Sequence, residues 1–185
     1  MNSRQIIKPG FTLPPDNPRI DENAVMRIHA LIPGHLERLV SDYGFKLIEI
    51  APQEPIPGSF WGDDEAGLIG ECLYVRGDTA VHSALHEFAH LLCVDPERRA
   101  GLHTDAQSDD QEETAVCYLQ ILLAEQLPDF GRERALTDMD AWGYSFRLGS
   151  ARAWFEQDSA DAYAWLQHFG LIDADGQLTF KARRS

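Results

Sequence analysis

His86, Glu87 and His90 form the pattern His-Glu-x-x-His, whose residue types and spacing suit one metal-binding turn of a helix. Residues four apart in an α-helix lie on one face, with Cβ atoms about 5–6 Å apart, so both imidazoles can reach one cation. Zinc suits this pair because imidazole nitrogen binds it at about 2.0–2.1 Å. Glu87 is rotated by about 100° from His86, which brings its carboxylate beside the cation. The pattern therefore predicts a metal site in which Glu87 takes a proton from water.

The stretch 80–93 must form a helix for this site to exist. Its sequence, AVHSALHEFAHLLC, is apolar on nearly every face except that of the histidines, and such a helix belongs in a protein core. We expect Asp78 or Thr79 to cap its start. The dipeptide Asp95-Pro96 is expected to stop it.

A third ligand is needed because a catalytic zinc usually takes three protein ligands and keeps one position for water. The next predicted helix, 111–126, begins with Glu112 and Glu113. Glu112 heads an apolar stripe, and a carboxylate in that position is costly unless it is paired or bound to a cation. Glu113 heads the neighbouring stripe, which contains Cys117 and Gln120. Stripe position favours Glu112 as the ligand, with Glu113 as the alternative, although acids also favour a helix N-terminus without any metal.

Composition narrows the classes of partner and compartment. The chain has 185 residues and a formal net charge of −14, which disfavours binding to nucleic-acid phosphates and makes a basic partner easier to accommodate. Its three cysteines are odd in number and widely spaced, which argues against a disulfide framework and for a reducing compartment. We find neither a secretory leader nor a run of about 20 apolar residues that would span a membrane. We therefore predict a cytoplasmic protein with a protein or peptide substrate.

The order of predicted elements indicates an α+β domain. Residues 1–20 are expected to form an extended arm, and 21–185 a single domain with its metal-site core at about 58–126 and a helical C-terminal part at about 130–185. A helical pattern at 21–43, which gives way at Pro33-Gly34 to a second segment, precedes three predicted strands, at 45–50, 58–62 and 68–75. The last of these would form the sheet edge beside the metal, where a substrate backbone could add as another strand. Further helices are predicted at 132–142, 150–157 and 160–169.

The pattern following the second histidine resembles that of the gluzincin metallopeptidases, more closely their compact ImmA/IrrE-type and minigluzincin members. These carry His-Glu-x-x-His, a gap of similar length, and then E-x-x-[AS]-[DN]-x-[FY]. Glu112, Ala115 and Tyr118 match the second pattern, which implies that Glu112 is a zinc ligand. Val116 departs from it, because the family carries an Asp or Asn there that orients the first histidine. Asp109, Asp110 and Glu113 are candidates for that orienting role.

The gluzincin resemblance implies a zincin-like fold, in which a three-stranded sheet packs on the two metal-binding helices, and a zinc-dependent peptidase activity. A fainter resemblance, to the elongation factor P hydroxylase family, comes from Ser83-Ala84-Leu85-His86, Arg98-Arg99 and Glu112 with Tyr118. It implies Fe²⁺ and an oxygen-dependent hydroxylation, and two histidines with one carboxylate serve either metal. A third hypothesis is a metal-binding module without catalysis, although Glu87 would have no use there.

An enzyme of the hydrolase kind also needs a donor for the oxyanion that forms on the substrate. The candidates are His103, Tyr144 and Arg147, of which the last two lie in a run of aromatic and charged residues at 138–147. That run is equally typical of an amphipathic core helix. His82 lies one turn before His86 and is expected to be either a neighbour of the metal site or a half-exposed helix residue. Arg98 and Arg99 are expected to be a solvated loop pair.

Overall fold

Seven α-helices and two small sheets are formed by the residues that the computed structural model describes, which are 7–8, 11–12, 24–60, 62 and 64–184. The strands are β1 (Ile7–Lys8), β2 (Phe11–Thr12), β3 (Lys46–Ile50), β4 (Gly67–Ile69) and β5 (Cys72–Arg76). The helices are α1 (His35–Asp42), α2 (Val81–Cys93), α3 (Pro96–Ala100), α4 (Asp110–Ala124), α5 (Gly131–Trp142), α6 (Ala151–Gln157) and α7 (Ala160–His168). The predicted α+β class, the three-stranded sheet and the helical C-terminal part are confirmed.

The three-stranded sheet has the order β3-β5-β4, with β3 parallel and β4 antiparallel to β5. The prediction of one strand over 68–75 is wrong, because the chain turns back at Gly70 and Glu71 to form a β4–β5 hairpin. Gly70 has φ +56°, the left-handed conformation that glycine supplies at a tight hairpin turn. The strand directly before α2 is therefore central, and β4 takes the edge.

The predicted strand at 58–62 is also wrong for the part that the structure describes. Only Ser59 forms a β-bridge there, to Gly67 of β4, and residues 61 and 63 lie outside the described part. The segment thus runs against the edge of β4 without becoming a strand of the sheet.

Of the helical pattern predicted at 21–43, the second segment, after Pro33-Gly34, is confirmed as α1, whereas the first forms no α-helix in its described residues. A 3₁₀ turn covers Ile28–Ala30 and α1 begins only at His35. The amide groups of Ile28 and His29 donate to the carbonyls of Thr79 and Gly77, so these bonds replace the ones that a continuous α-helix would need here. Of the predicted arm, the structure describes only β1 and β2, which pair antiparallel.

Helices α2 and α4 pack side by side in the middle of the core. In α2, every residue except Glu87 is buried. Neither predicted cap is used, because Ala80 is the N-cap and the Thr79 hydroxyl instead accepts a bond from the Arg76 amide at 2.9 Å. Helix α4 begins after Asp109, whose side chain accepts from the Glu112 amide.

The C-terminal helices pack around α4, and the chain then returns to α2. α7 and α5 both contact α4, and the Arg183 amide donates to the Leu92 carbonyl near the end of α2. The last described residues thus lie beside the helix that carries the histidines. No helix within 24–60 or 64–184 is long and apolar enough to cross a bilayer.

Candidate metal centre

The structure brings together His86 and His90 of α2 and Glu113 of α4, all three buried. The two Nε2 atoms lie 3.1 Å apart. Glu113 faces both rings, with Oε1 at 3.3 Å from Nε2 of His86 and Oε2 at 3.4 Å from Nε2 of His90. Three metal-ligating groups therefore converge on one point in the core.

These separations match a single bound cation. Two atoms bound to one zinc at about 2.0–2.1 Å and at the tetrahedral angle lie roughly 3.3 Å apart. Two imidazoles and a carboxylate are also the usual protein ligands of a catalytic zinc or a non-haem Fe(II). The residues thus fit a divalent metal in both distance and chemistry.

Nδ1 of each imidazole, the nitrogen that faces away from the cluster, has a hydrogen-bond partner. These partners favour binding of a cation by Nε2. Nδ1 of His86 lies 2.7 Å from the Gln120 side-chain oxygen, which can only accept, so that nitrogen carries the proton. Nδ1 of His90 lies 3.2 Å from Oγ of Ser108, which in turn donates to Glu112 at 2.9 Å. Both rings can then present an unprotonated Nε2 to a cation, and the partners fix the ring orientations.

Glu112, the preferred ligand from the sequence, does not reach the histidine Nε2 atoms. Its two carboxylate oxygens accept from the Arg98 guanidinium, at 3.1 Å and 2.5 Å, and Arg183 lies 3.3 Å away. The apolar stripe correctly indicated that the Glu112 carboxylate is buried and has a charged partner. The compensation comes from two arginines, and Glu113, the alternative, takes the position beside the histidines.

Arg98 and Arg99 are not the solvated loop pair that the sequence indicates. Both lie in α3. Arg98 binds Glu112, and the resulting hydrogen bonds raise the pKa of the guanidinium. Arg99 is buried and donates to the carbonyls of Leu91 and Val94.

Glu87 is the one residue of α2 that is not fully buried. It follows His86 directly, so its carboxylate is offset by about 100° from the line of the two imidazoles. A position directly after His86, with access to solvent, is what a residue that exchanges protons with water requires.

Tyr144 is the oxyanion candidate that the structure places beside the histidines. Its ring centroid lies 5.9 Å from that of His86, edge to face. Burial raises the pKa of the Tyr144 hydroxyl well above its usual value, although the Gln120 side chain offsets part of the shift. The phenol therefore stays protonated and able to donate a hydrogen bond.

His103 and Arg147 are placed elsewhere. His103 is exposed, and its main chain bridges to Ile69 at the outer edge of β4 while its ring contacts the Thr104 hydroxyl. Arg147 is exposed and pairs with Asp158. Neither has a recorded contact with His86, His90 or Glu113 in the part of the chain that the structure describes.

His82 is buried against the Trp142 and Tyr144 rings and is not half-exposed. Its ring lies 4.8 Å from that of Trp142 and 5.6 Å from that of Tyr144. Burial, together with the charges of His86 and Arg27, lowers the pKa of His82 to about 3. Neither ring nitrogen has a hydrogen-bond partner among the described residues.

Two residues of the site escaped the sequence-based prediction. Gln120 takes the orienting role that the gluzincin pattern assigns to position 116, and Ser108 supports the second histidine. Gln120 lies seven residues after Glu113, on the same helical stripe, so choosing Glu113 would have indicated it. Ser108 lies in the loop before α4, where the sequence holds no comparable pattern.

No protein-family model, curated protein or solved structure matches this chain. The interpretation of the site therefore depends on the chain's own residues and their geometry.

Proposed function

We propose that the chain is a metal-dependent hydrolase of the zincin type, with His86, His90 and Glu113 as the ligands of a zinc ion. The observation that carries this proposal is the convergence of two imidazole nitrogens and one carboxylate at separations of 3.1–3.4 Å. Zinc bound by these three residues would supply a Lewis acid that lowers the pKa of water towards 7 and polarises a carbonyl.

The residues around the ligands supply the other parts of a hydrolytic site. Glu87 accepts the proton of the attacking water and delivers it to the leaving amine. Tyr144 donates a hydrogen bond to the developing oxyanion. Gln120 and Ser108 hold the two imidazoles by their outer nitrogens, so that the ligand atoms keep their directions during the reaction. A zincin-like arrangement of the sheet and the two helices belongs to the same proposal.

A second candidate is an iron-dependent hydroxylase. Two histidines and one carboxylate are also the ligand set of non-haem Fe(II) oxygenases, and this observation favours the hydroxylase as much as the hydrolase. Glu87 separates the two, because a base that exchanges protons with water is needed for hydrolysis.

Metal content of protein purified without added metal tests the proposal. We expect about one zinc per chain in the wild type and in Glu87→Gln, and none in His86→Ala. Glu87→Gln should retain the metal and lose hydrolysis of amide substrates by at least about 100-fold, since general base catalysis contributes about 10²–10⁴-fold. Iron with oxygen-dependent turnover would favour the hydroxylase. Failure to bind either metal, as purified or after reconstitution, would overturn both candidates.

A further inference from the structure

We propose that this metal centre acts on an amide carried at the end of a narrow arm, either a side chain or a small molecule, and does not act on main chain laid along β4. The inference rests on the proposed hydrolase function and specifies its substrate class. It follows from the edge of the sheet beside α2, where an extended peptide would otherwise add as a further strand.

The outward-facing hydrogen-bonding groups of β4 are already used by the chain itself. The Leu68 amide donates to the Gly58 carbonyl at 3.3 Å, and the Leu68 carbonyl accepts from the Thr104 amide at 2.9 Å. Just past the strand, the Gly70 amide donates to the Leu102 carbonyl at 2.8 Å. The main-chain N–H and C=O groups of alternate strand residues point to opposite neighbouring strands. Leu68 is therefore the β4 residue whose groups a substrate backbone would need.

The segment that covers this edge is closely fitted to it. A Cβ atom on Gly58 would lie 2.4 Å from the Leu68 carbonyl oxygen, and one on Gly67 would lie 2.1 Å from the Pro57 carbonyl oxygen. The two backbones approach so closely that only glycine fits at either position. The contact between 57–59 and β4 is therefore part of the fold, and a peptide would have to displace it.

The three candidate ligands are almost completely buried. His86 is 7% exposed, His90 2% and Glu113 5%. Main chain with residues on both sides of the scissile bond needs an open groove, whereas a single arm needs only a narrow passage. Glu87 follows His86 directly in the chain and the Tyr144 ring lies 5.9 Å from that of His86, and both residues are half-buried.

The reaction on such a substrate is an ordinary hydrolysis. One water adds across the C–N bond of the amide, so that its hydroxyl joins the carbonyl carbon and its hydrogen goes to the amine nitrogen. The products are a carboxylic acid and a free amine, and no oxidant or further reactant is required.

Binding of two hydroxamates to the zinc-loaded protein tests the substrate class. Acetohydroxamate carries a metal-binding group on a short arm, and a hexapeptide hydroxamate carries the same group on extended main chain. We expect their dissociation constants to agree within about threefold, because two or three strand-pairing hydrogen bonds would otherwise give about 10–100-fold tighter binding of the peptide. A gain of tenfold or more that disappears when the peptide amides are N-methylated would overturn the proposal. Failure of acetohydroxamate to bind the zinc-loaded protein would also overturn it.

Two glycine variants connect that result to the edge of β4. Gly58→Ala should displace the covering segment, speed hydrogen exchange of the Leu68 amide and increase the affinity for the peptide hydroxamate alone. Gly62→Ala is the matched control, because Gly62 also has a positive φ but a Cβ there would contact nothing within 4 Å. Fast exchange of the Leu68 amide in wild-type protein would contradict the occupied edge. Exchange can be measured without metal, so a failure of the hydrolase proposal remains distinguishable from a failure of this one.

Discussion

The adjacent acids Glu112 and Glu113 show that a shift of one helical position changes the groups that a carboxylate contacts. They are separated by about 100° around α4, so one faces α2 and its histidines while the other faces Arg98 and Arg183. Both are buried; arginines compensate the charge of Glu112, whereas Glu113 faces two imidazole nitrogens and a cation bound between them would compensate it. Glu112 still contributes to the site, because Ser108 connects its carboxylate to the outer nitrogen of His90.

Glu113→Gln and Glu112→Gln should therefore have different effects on zinc affinity. We expect Glu113→Gln to weaken zinc binding by more than about 100-fold, because it removes a charged ligand. Glu112→Gln should weaken it by about tenfold, the lower end of what loss of an outer partner costs. Competition with a chromogenic chelator measures both. Equal losses, or a larger loss in Glu112→Gln, would return the ligand role to Glu112.

His82 predicts a pH dependence of stability. Its pKa in the folded protein is lowered to about 3, so the folded state binds fewer protons than the unfolded state below the ordinary pKa of 6.5. The contribution of His82 to the free energy of unfolding is therefore fully present above pH 6.5 and is lost as the pH falls towards 3. The loss from this one group is about 2 kcal/mol between pH 7 and pH 5.

His82→Phe should remove that part of the pH dependence while keeping an aromatic ring against Trp142 and Tyr144. Urea unfolding at pH 7 and at pH 5 measures the difference between the variant and the wild type. An unchanged pH dependence in the variant would show that His82 does not titrate in this window.

At the scale of elements, the start of α4 matters most for the site. The Asp109 side chain caps the helix by accepting from the Glu112 amide at 2.8 Å, and Glu113 lies in the first turn that this cap holds. A frayed first turn would move the carboxylate away from the histidines.

Asp109→Ala should lower the free energy of unfolding by about 1 kcal/mol, the usual cost of losing an N-cap. It should also weaken zinc binding, since part of that energy is needed to hold Glu113 in place. Asp110→Ala is the control, because Asp110 is exposed in the same turn and does not cap the helix. Urea unfolding and chelator competition give the two readouts, and similar effects of both variants would contradict the role of the cap.

For the whole molecule, the return of the C-terminal residues to α2 and α4 is the main long-range feature beside the site. The Arg183 guanidinium lies 3.3 Å from Glu112 and 3.7 Å from the centroid of the Phe169 ring, and its main chain is bonded to α2 and to Arg99. Residues 71 positions apart in the chain thus meet at Glu112, the neighbour of Glu113.

Arg183→Ala should destabilise the protein by about 2 kcal/mol, because it removes a charged hydrogen-bond partner of a buried carboxylate and the packing on Phe169. Arg184→Ala, which changes an exposed neighbour, should stay within about 0.5 kcal/mol of the wild type. Urea unfolding of the two variants tests the assignment. A comparable effect of both would mean that the tail contributes only through its main chain.

The sequence by itself determined the elements that carry strong periodic patterns. The helix at 80–93, the helix that follows it with two acids in its first turn, the strand at 45–50 and the C-terminal helices were all predicted, because apolar periodicity and turn residues act locally. The same local logic predicted that His86 and His90 would share one face. Cytoplasmic location, the zincin assignment and catalysis stay predictions.

Tertiary structure decided everything that depends on which surfaces meet. The turn at Gly70 makes a β4–β5 hairpin of the stretch that was predicted as one strand. The strand at the sheet edge is therefore β4. Packing of α4 on α2 placed Glu113, and not Glu112, beside the histidines, and the return of the chain placed the Arg183 guanidinium 3.3 Å from Glu112. A periodic pattern states which face of a helix is buried but not what it is buried against, and the identity of a third ligand is a property of that contact.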